Sequence, residues 1–388
     1  MPVNVSISKD VLDWIMAHIQ LDTLPTQIVN YLLSWRNGEK VPTYNQIEKV
    51  SKATGVPFGY FFLQKPPEED LTLVEYRTID SVELHNPSRD LVDTMHDMDL
   101  IQEWMRSRLL DDGVAPLNYV GAQKNQKKIN EFAAFVCELL HLNTEWFRQS
   151  KNTSESFRIV RRAISDAGVM VMMSGIVKNN THRVLETNEF RAFTIVDNYA
   201  PLIFINSNDS WNGKLFSLLH EFAHVCIGES SLYNDRYTDG TAVREVETMC
   251  NAVAAEVMVP QNTFLAEWTR LRKDMDCAQT IISLSREFKC GITVIARKAL
   301  DNGYIDVPTY KGYAQQAVEQ YCQSRKHKKT NGGDFYRTTA SRIDQRFFNL
   351  LLDSVATGKT LYSDAFRMTN TNRSTFSALA EHIGGGIR

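Results

Sequence analysis

The segment from His220 to His224 reads His-Glu-Phe-Ala-His, and it limits the possible folds more than any other part of this sequence. Histidines at positions i and i+4 lie one turn apart on the same face of an α-helix. Both imidazoles can therefore bind one metal ion, while Glu221, about 100° further around the helix, can take a proton from water held at that metal. The pattern predicts a helix that carries two metal ligands and a general base.

The residues around this motif argue against the simpler interpretation of two surface histidines. Apolar side chains surround it on every side of the predicted helix: Leu215, Phe216, Leu218, Leu219, Phe222, Val225, Cys226 and Ile227. A helix that is apolar all round is buried. Two buried imidazoles beside a carboxylate need polar partners, and a metal ion supplies them. Gly228 follows directly and is predicted to end the helix.

A downstream helix, residues 243–259, offers three glutamates as the third ligand that zinc requires. On a helical projection Glu247 lies roughly 50° from the centre of the apolar face, whereas Glu245 and Glu256 lie roughly 130–150° away. We predict Glu247 as the ligand and the other two as solvated surface residues. Asn251, one turn after Glu247, is the candidate that holds the carboxylate or an imidazole by a hydrogen bond.

Cys250 is adjacent to this predicted ligand set. A buried cysteine usually packs as a small hydrophobic residue, which is the interpretation we favour. A thiol so close to the site could also bind or occlude zinc.

Composition bounds the protein class. The 388-residue chain has a formal net charge of -3, so no field of one sign favours nucleic acid or a membrane surface as the main partner. Six scattered cysteines lack the paired spacings of a disulfide scaffold, which indicates a reducing compartment. No signal peptide is apparent, and no apolar run reaches the roughly 18 residues needed to span a bilayer. We expect a soluble, cytoplasmic protein of two or three domains, with no membrane partner.

The pattern of apolar residues predicts an α+β fold that is mainly helical, with a small sheet beside the motif helix. Helical spacing marks residues 86–112 and 128–142, within a predicted helical linker region over 68–150. Three short apolar runs at 169–173, 191–196 and 202–206 are predicted strands. They open the predicted metal-binding domain, residues 151–308. Residues 309–388 form a predicted C-terminal helical module, with an exposed basic loop near 325–329.

The first 67 residues form a predicted domain of short helices. Thr43 and Gln46 make a capping box, and Gly55 ends the helix that they begin. The helix before it, ending near Trp35, makes the domain resemble the repressor-type helix-turn-helix family. That resemblance implies DNA contacts from this helix, with four polar candidates: Thr26, Gln27, Asn30 and Arg36.

The charge of this domain leaves its role open. Basic and acidic residues are nearly balanced up to Pro67, so neutralisation of phosphates would be weak. A domain that binds a protein partner, or one that only supports the rest of the chain, is about as well favoured as one that binds DNA.

Four ordered runs resemble the ImmA/IrrE metallopeptidase family. They are Glu189-Phe190-Arg191-Ala192-Phe193, then residues 200–206, then Phe216 through His224, and then Glu247 through Pro260. The resemblance covers about residues 150–305, and a helix-turn-helix domain often accompanies that family. It implies a gluzincin-like fold with His220, His224 and Glu247 on zinc and Glu221 as base. It also implies an endopeptidase that cleaves a helix-turn-helix repressor or an antitoxin, often of a prophage, mobile element or toxin-antitoxin locus.

Two questions stay open at this stage. An alternative function is a DNA-binding regulator or antitoxin-like partner that uses the peptidase fold for binding or sensing. The donor that would stabilise the oxyanion is not identified by the sequence either. Its candidates are His182, Tyr199, Tyr233, Tyr237 and Arg297.

Overall fold

The computed structural model describes residues 4–19, 21, 24–67, 87–233, 245–327 and 335–384. The chain divides into two units: Met1–Ile101 with Ser174–Glu186, and Gln102–Met173 with Thr187–Arg388. Most described residues are helical and a few short strands form small sheets, which confirms the predicted α+β class. Among these residues no helix has the length and apolar character needed to cross a bilayer.

The first unit begins with three helices around an apolar core. The helices are α1 (Lys9–Ala17), α2 (Thr26–Arg36) and α3 (Tyr44–Thr54). Their apolar faces meet through a core that includes Leu12, Leu32 and Ile47, all essentially inaccessible to solvent. The predicted capping box is present, since the Thr43 N–H donates to Gln46 Oε1 at 2.9 Å. Gly55 ends α3 in the left-handed conformation, as predicted.

A hairpin from the middle of the chain also belongs to the first unit. It consists of β2 (Ile176–Val177) and β3 (Asn180–Val184), and it was not predicted. Arg183 on β3 is only 6% exposed and pairs with two carboxylates of helix α4 (Arg89–Asp111): Asp90 at 2.7 Å and Asp93 at 2.8 Å. Burial raises the pKa of Asp90, and the Arg183 guanidinium opposes that rise. A buried ion pair therefore holds the hairpin to α4.

The second unit contains the remaining strands and most of the helices. Its strands are β1 (Met170–Ser174), β4 (Ala192–Ile195), β5 (Leu202–Asn206) and β6 (Ser231–Tyr233), in the sheet order β1-β5-β4-β6. Strand β4 is antiparallel to both β5 and β6. The three predicted strands are thus present, and β6 adds a fourth. The helices up to α12 are α5 (Ile129–Leu139), α6 (Thr153–Asp166), α7 (Trp211–Ile227), α8 (Glu245–Met258), α9 (Gln261–Leu271), α10 (Cys277–Glu287), α11 (Ile292–Asp301) and α12 (Val307–His327).

Helix α7 carries the His-Glu-x-x-His motif and is buried along most of its length. The Ser210 hydroxyl caps its first turn by accepting from the Gly213 N–H at 3.0 Å. Gly228 ends it at φ 86°, a left-handed value that favours glycine. The loop at residues 121–123 then satisfies two carbonyls of the last turn: Gly121 N–H donates to Val225 O and Gln123 N–H to Cys226 O. Both ends of the motif helix are therefore fixed.

The C-terminal helices are α13 (Phe335–Arg342), α14 (Gln345–Ala356), α15 (Tyr362–Thr369) and α16 (Arg373–Gly384). Asp344 caps α14 and also accepts from the Val171 N–H of β1 at 3.2 Å. Arg161 on α6 donates to the Val171 carbonyl and to the carbonyls of Ser341 and Ile343. These polar contacts attach the C-terminal helices to the sheet.

One expectation about this region is wrong in part. Residues 325–327, the start of the predicted basic loop, continue helix α12, and the rest of that segment lies outside the described residues. The first part of the predicted helical linker region, residues 68–86, lies outside them too. The domain limits proposed from the sequence stay predictions.

Candidate metal centre

The two motif histidines meet at their ring tips. His220 Nε2 and His224 Nε2 lie 3.1 Å apart, and both residues are buried on α7. The helical spacing of four residues places the rings one above the other on the face that contacts α8. Two ring nitrogens thus converge on one point inside the second unit.

Glu247 completes a three-residue cluster from the first turn of α8. Its Oε2 lies 3.2 Å from His220 Nε2 and its Oε1 lies 3.4 Å from His224 Nε2. The side chain is 22% exposed, so the cluster is accessible on its glutamate side. Glu245, two positions earlier, is exposed, which agrees with the phase argued for this helix. His220, His224 and Glu247 form the one group of this kind among the described residues.

The separations within this cluster match a tetrahedral metal site. Zinc binds histidine nitrogen and carboxylate oxygen at about 2.0–2.2 Å, which places tetrahedral ligand atoms roughly 3.3 Å apart. The observed separations of 3.1, 3.2 and 3.4 Å lie close to that value. The donor set of two imidazoles and one carboxylate is also one that zinc accepts. The residues present therefore fit the ion.

Glu247 and His224 shift each other's pKa toward the charged forms. Burial by itself raises the pKa of the Glu247 carboxyl, but hydrogen bonds to His220 and His224 hold it well below its usual range. Burial lowers the pKa of His224, but contacts with Cys250 and Glu247 outweigh it and raise that pKa. Glu247 is thus ionised at neutral pH, as a metal ligand must be.

Glu221 faces a different set of partners from the two histidines. Its Oε2 accepts hydrogen bonds from Thr194 Oγ at 2.5 Å and from Ser231 Oγ at 2.6 Å. Its Oε1 is buried and accepts no hydrogen bond from any described residue. Burial raises the pKa of this carboxyl, and the imidazoles of His220 and His224 partly oppose the rise. One oxygen is thus fixed and the other is available to a further donor.

Thr194 and Ser231 were not predicted as site residues. Thr194 stands inside an apolar strand, and Ser231 opens the short strand after the motif helix. A hydroxyl within a fully buried strand is the signal that could have identified Thr194, because such a group needs a partner. Ser231 offered no comparable signal, since β6 itself was not predicted.

The hydrogen-bonding role expected of Asn251 stays a prediction. Its Oδ1 is buried but accepts no hydrogen bond within the described part of the chain. Cys250, which precedes it, contacts His224 instead. Burial raises the pKa of the Cys250 thiol, and the adjacent His224 opposes this.

Glu256 corrects one sequence-based expectation. We predicted a solvated surface residue, yet its side chain is only 15% exposed and pairs with Lys298 of α11, which is 9% exposed. Glu256 Oε1 also accepts from the Gln261 N–H at 2.8 Å. The residue is not solvated because Lys298 of α11 pairs with its carboxylate.

The oxyanion candidates lie in several places. Tyr199 is half-buried in the turn before β5, Arg297 is exposed on α11 and pairs with Asp301 at 2.9 Å, and His182 is exposed on the hairpin of the first unit. For Tyr233 only the backbone is described, and Tyr237 lies outside the described residues. The structure therefore does not select among them.

The four candidate DNA-contacting residues are exposed on α2 or at its end. Arg36 forms an ion pair with Asp13 at 2.5 Å, and Gln27 Nε2 donates to the Tyr31 hydroxyl at 3.0 Å. Thr26 and Asn30 are exposed as well. The pairing of Arg36 reduces the positive charge that this helix offers to phosphate.

The fold and the cluster together define an α+β domain with a His-His-Glu group that could hold a metal ion. Residues 164–300 match the family described as the IrrE N-terminal-like domain, a peptidase family. Residues 343–382 match a domain of unknown function, DUF8813. No curated protein and no solved structure matches the chain. The peptidase match includes every residue of the cluster as well as Glu221, Thr194 and Ser231.

Proposed function

We propose that this protein is a zinc-dependent endopeptidase. The observation that carries the proposal is the convergence of His220, His224 and Glu247 beside Glu221, a buried carboxylate with one oxygen left without a described partner. Three protein ligands leave a fourth position for water and substrate, the arrangement of catalytic rather than structural zinc sites. The match of residues 164–300 to a peptidase family supports the same reaction.

Each residue of the cluster has a role in this mechanism. A bound zinc ion would supply Lewis acidity, since it polarises the scissile carbonyl and makes water acidic enough to ionise near neutral pH. His220, His224 and Glu247 would hold that ion. Glu221 accepts the proton of the attacking water on Oε1 and then delivers it to the leaving amine. Its raised pKa favours this transfer, because the protonated form is stable enough to exist transiently.

The substrate that we propose is a regulatory protein, either a helix-turn-helix repressor or an antitoxin encoded near this chain, within a cytoplasm. Support comes from the ImmA/IrrE-type sequence pattern, whose members act on such regulators. DNA binding through Thr26, Gln27, Asn30 and Arg36 is a separate proposal, supported by the exposure of these side chains. A gel-shift titration over a range of salt concentrations tests it, since phosphate contacts weaken steeply with salt.

The peptidase proposal is tested with wild-type protein and a Glu221→Gln variant, both loaded with zinc. Each is incubated with a peptide library prepared from a bacterial proteome, and each is also co-expressed with the regulator encoded next to it. Mass spectrometry then identifies new peptide termini. We expect cleavage by the wild type, loss of cleavage with a chelator, and no cleavage by Glu221→Gln at equal zinc content. Equal cleavage by both proteins, or none by the wild type with either substrate, overturns the proposal.

A further inference from the structure

Thr194 and Ser231 are direct partners in the antiparallel pairing of β4 with β6. Residues opposite each other in such a pair have their side chains on the same face of the sheet, with Cβ atoms about 4.5–5.5 Å apart. Here that face is turned toward α7, and both hydroxyls contact the same residue of that helix, Glu221. The strand register therefore places two hydroxyl donors together at the carboxylate.

Both hydroxyls bind the same carboxylate oxygen. Thr194 Oγ donates to Oε2 at 2.5 Å, and Ser231 Oγ donates to it at 2.6 Å. Thr194 Oγ also lies 3.4 Å from the Glu221 carbonyl oxygen, but its single proton is committed to the much shorter contact. With two donors on Oε2, the carboxylate cannot rotate without losing both hydrogen bonds.

This distribution of donors is not what simple stabilisation of a buried charge requires. A carboxylate is satisfied best when donors are shared between its two oxygens. Here Oε1 is left buried and accepts from no described residue, which costs stability. Two donors on Oε2 and none on Oε1 instead fix the direction in which Oε1 points.

We propose that Thr194 and Ser231 are positioning residues that hold Glu221 so that Oε1 is presented to the reacting water. This inference rests on the proposed function, because it takes Glu221 as the base. Both hydroxyls act through Glu221 and not on the substrate. Their loss should therefore reduce turnover without affecting zinc or the binding of the peptide.

The kinetic test uses Thr194→Val and Ser231→Ala with one cleaved peptide from the library as substrate. Valine keeps the shape of threonine and suits a strand. We expect kcat to fall about tenfold in each single variant and about 100-fold in the double variant, as misplacement of a catalytic group does. KM and zinc content should stay at wild-type values. Thr194→Ser, which restores a hydroxyl, should recover most of the turnover.

Thr280→Val is the matched control. Thr280 is equally buried, and its hydroxyl donates to the Asp276 carbonyl at 2.7 Å within α10, away from Glu221. This variant loses a buried hydroxyl but should keep wild-type kcat. If Thr194→Val and Ser231→Ala also keep it, or if their turnover falls no more than that of Thr280→Val, the positioning role is refuted.

A crystal structure of the zinc-loaded Thr194→Val/Ser231→Ala double variant gives a second readout that does not depend on activity. We expect the Glu221 carboxylate to rotate or to occupy several orientations, with His220, His224 and Glu247 unchanged. A carboxylate that keeps its wild-type orientation overturns the inference. If the wild type cleaves nothing, the proposed function fails, and the orientation of Glu221 in these crystals still decides whether the two hydroxyls hold it.

Discussion

Glu247 Oε2 lies 3.2 Å from His220 Nε2, although the two residues belong to different helices, α8 and α7. This contact joins the helices at a point that is buried on the histidine side and open on the glutamate side. Glu245 stands two positions away on the same helix and is exposed. The pair of glutamates therefore offers a controlled test of the metal centre.

Glu247→Gln should weaken zinc binding strongly, whereas Glu245→Gln should not change it. Replacing a carboxylate ligand removes both a donor and a negative charge, so the loss of affinity should exceed the roughly 10–100-fold caused by losing an outer hydrogen-bond partner. Competition for zinc with a chromophoric chelator at neutral pH measures both variants. Equal affinities in the two would show that Glu247 does not bind the metal.

Gly228→Ala should destabilise the second unit more than Gly303→Ala. Both glycines are left-handed, with φ 86° and 71°, so each alanine costs about 1 kcal/mol in backbone strain. At Gly228 the new Cβ would also lie 2.9 Å from the Gly121 Cα, and relieving that overlap should add roughly 1–3 kcal/mol. Gly303 has open space around it. Denaturant unfolding followed by circular dichroism distinguishes them, and equal midpoints would contradict the close approach.

Arg183→Met should destabilise the first unit by about 3 kcal/mol, since it leaves Asp90 buried without its ion-pair partner and leaves Asp93 paired with Arg89 alone. Arg162→Met is the control, because Arg162 is 85% exposed in its pair with Asp166 and should contribute almost nothing. Thermal unfolding by calorimetry measures both. A melting temperature for Arg183→Met that matches the control would mean that the buried pair does not hold the hairpin.

The rate at which Cys137 is alkylated should keep rising at pH values above those at which an ordinary thiol has already ionised. Burial raises the pKa of this thiol to about 11. Only the thiolate reacts, so the rate with iodoacetamide should increase about tenfold per pH unit from pH 7 to 10. The pKa of Cys137 is therefore higher in the folded protein than the value of about 8.5 in the unfolded chain. This difference stabilises the fold fully below about pH 8.5, and the stabilisation is lost as the pH rises toward 11.

Mass spectrometry of the Cys137 peptide gives the rates for that experiment. The denatured protein is the control, and its rate should level off near pH 9. A plateau near pH 9 in the folded protein as well would show that the thiol is not buried in solution.

Local patterns predicted the elements of the site. The spacing of the histidines and the stop at Gly228 identified α7, because caps and helical periodicity depend on neighbouring residues. The phase of α8 separated Glu247 from Glu245 for the same reason. Each of these two inferences used the sequence of a single helix.

Contacts between distant segments were not predictable in this way. The register that pairs Thr194 with Ser231 depends on a strand, β6, too short to leave a pattern. Glu256 pairs with Lys298 of α11, which lies 42 positions later, and helix phase alone does not reveal such a partner. The hairpin that carries Arg183 joins a unit whose other members come far earlier in the chain.

The backbone hydrogen bonds of Val171 determine what would happen in a shortened form of the protein. Strand β1 stands at the end of the sheet order, and side chains rather than another strand occupy the Val171 N–H and carbonyl: Asp344 and Arg161. A chain cut before Ile343 would lose the Asp344 acceptor and the Ile343 carbonyl that helps to hold Arg161. The exposed backbone of β1 would then be able to pair with a second molecule, as open strand edges do. In the full chain, Asp344 of the C-terminal region occupies the Val171 N–H at this edge of the sheet.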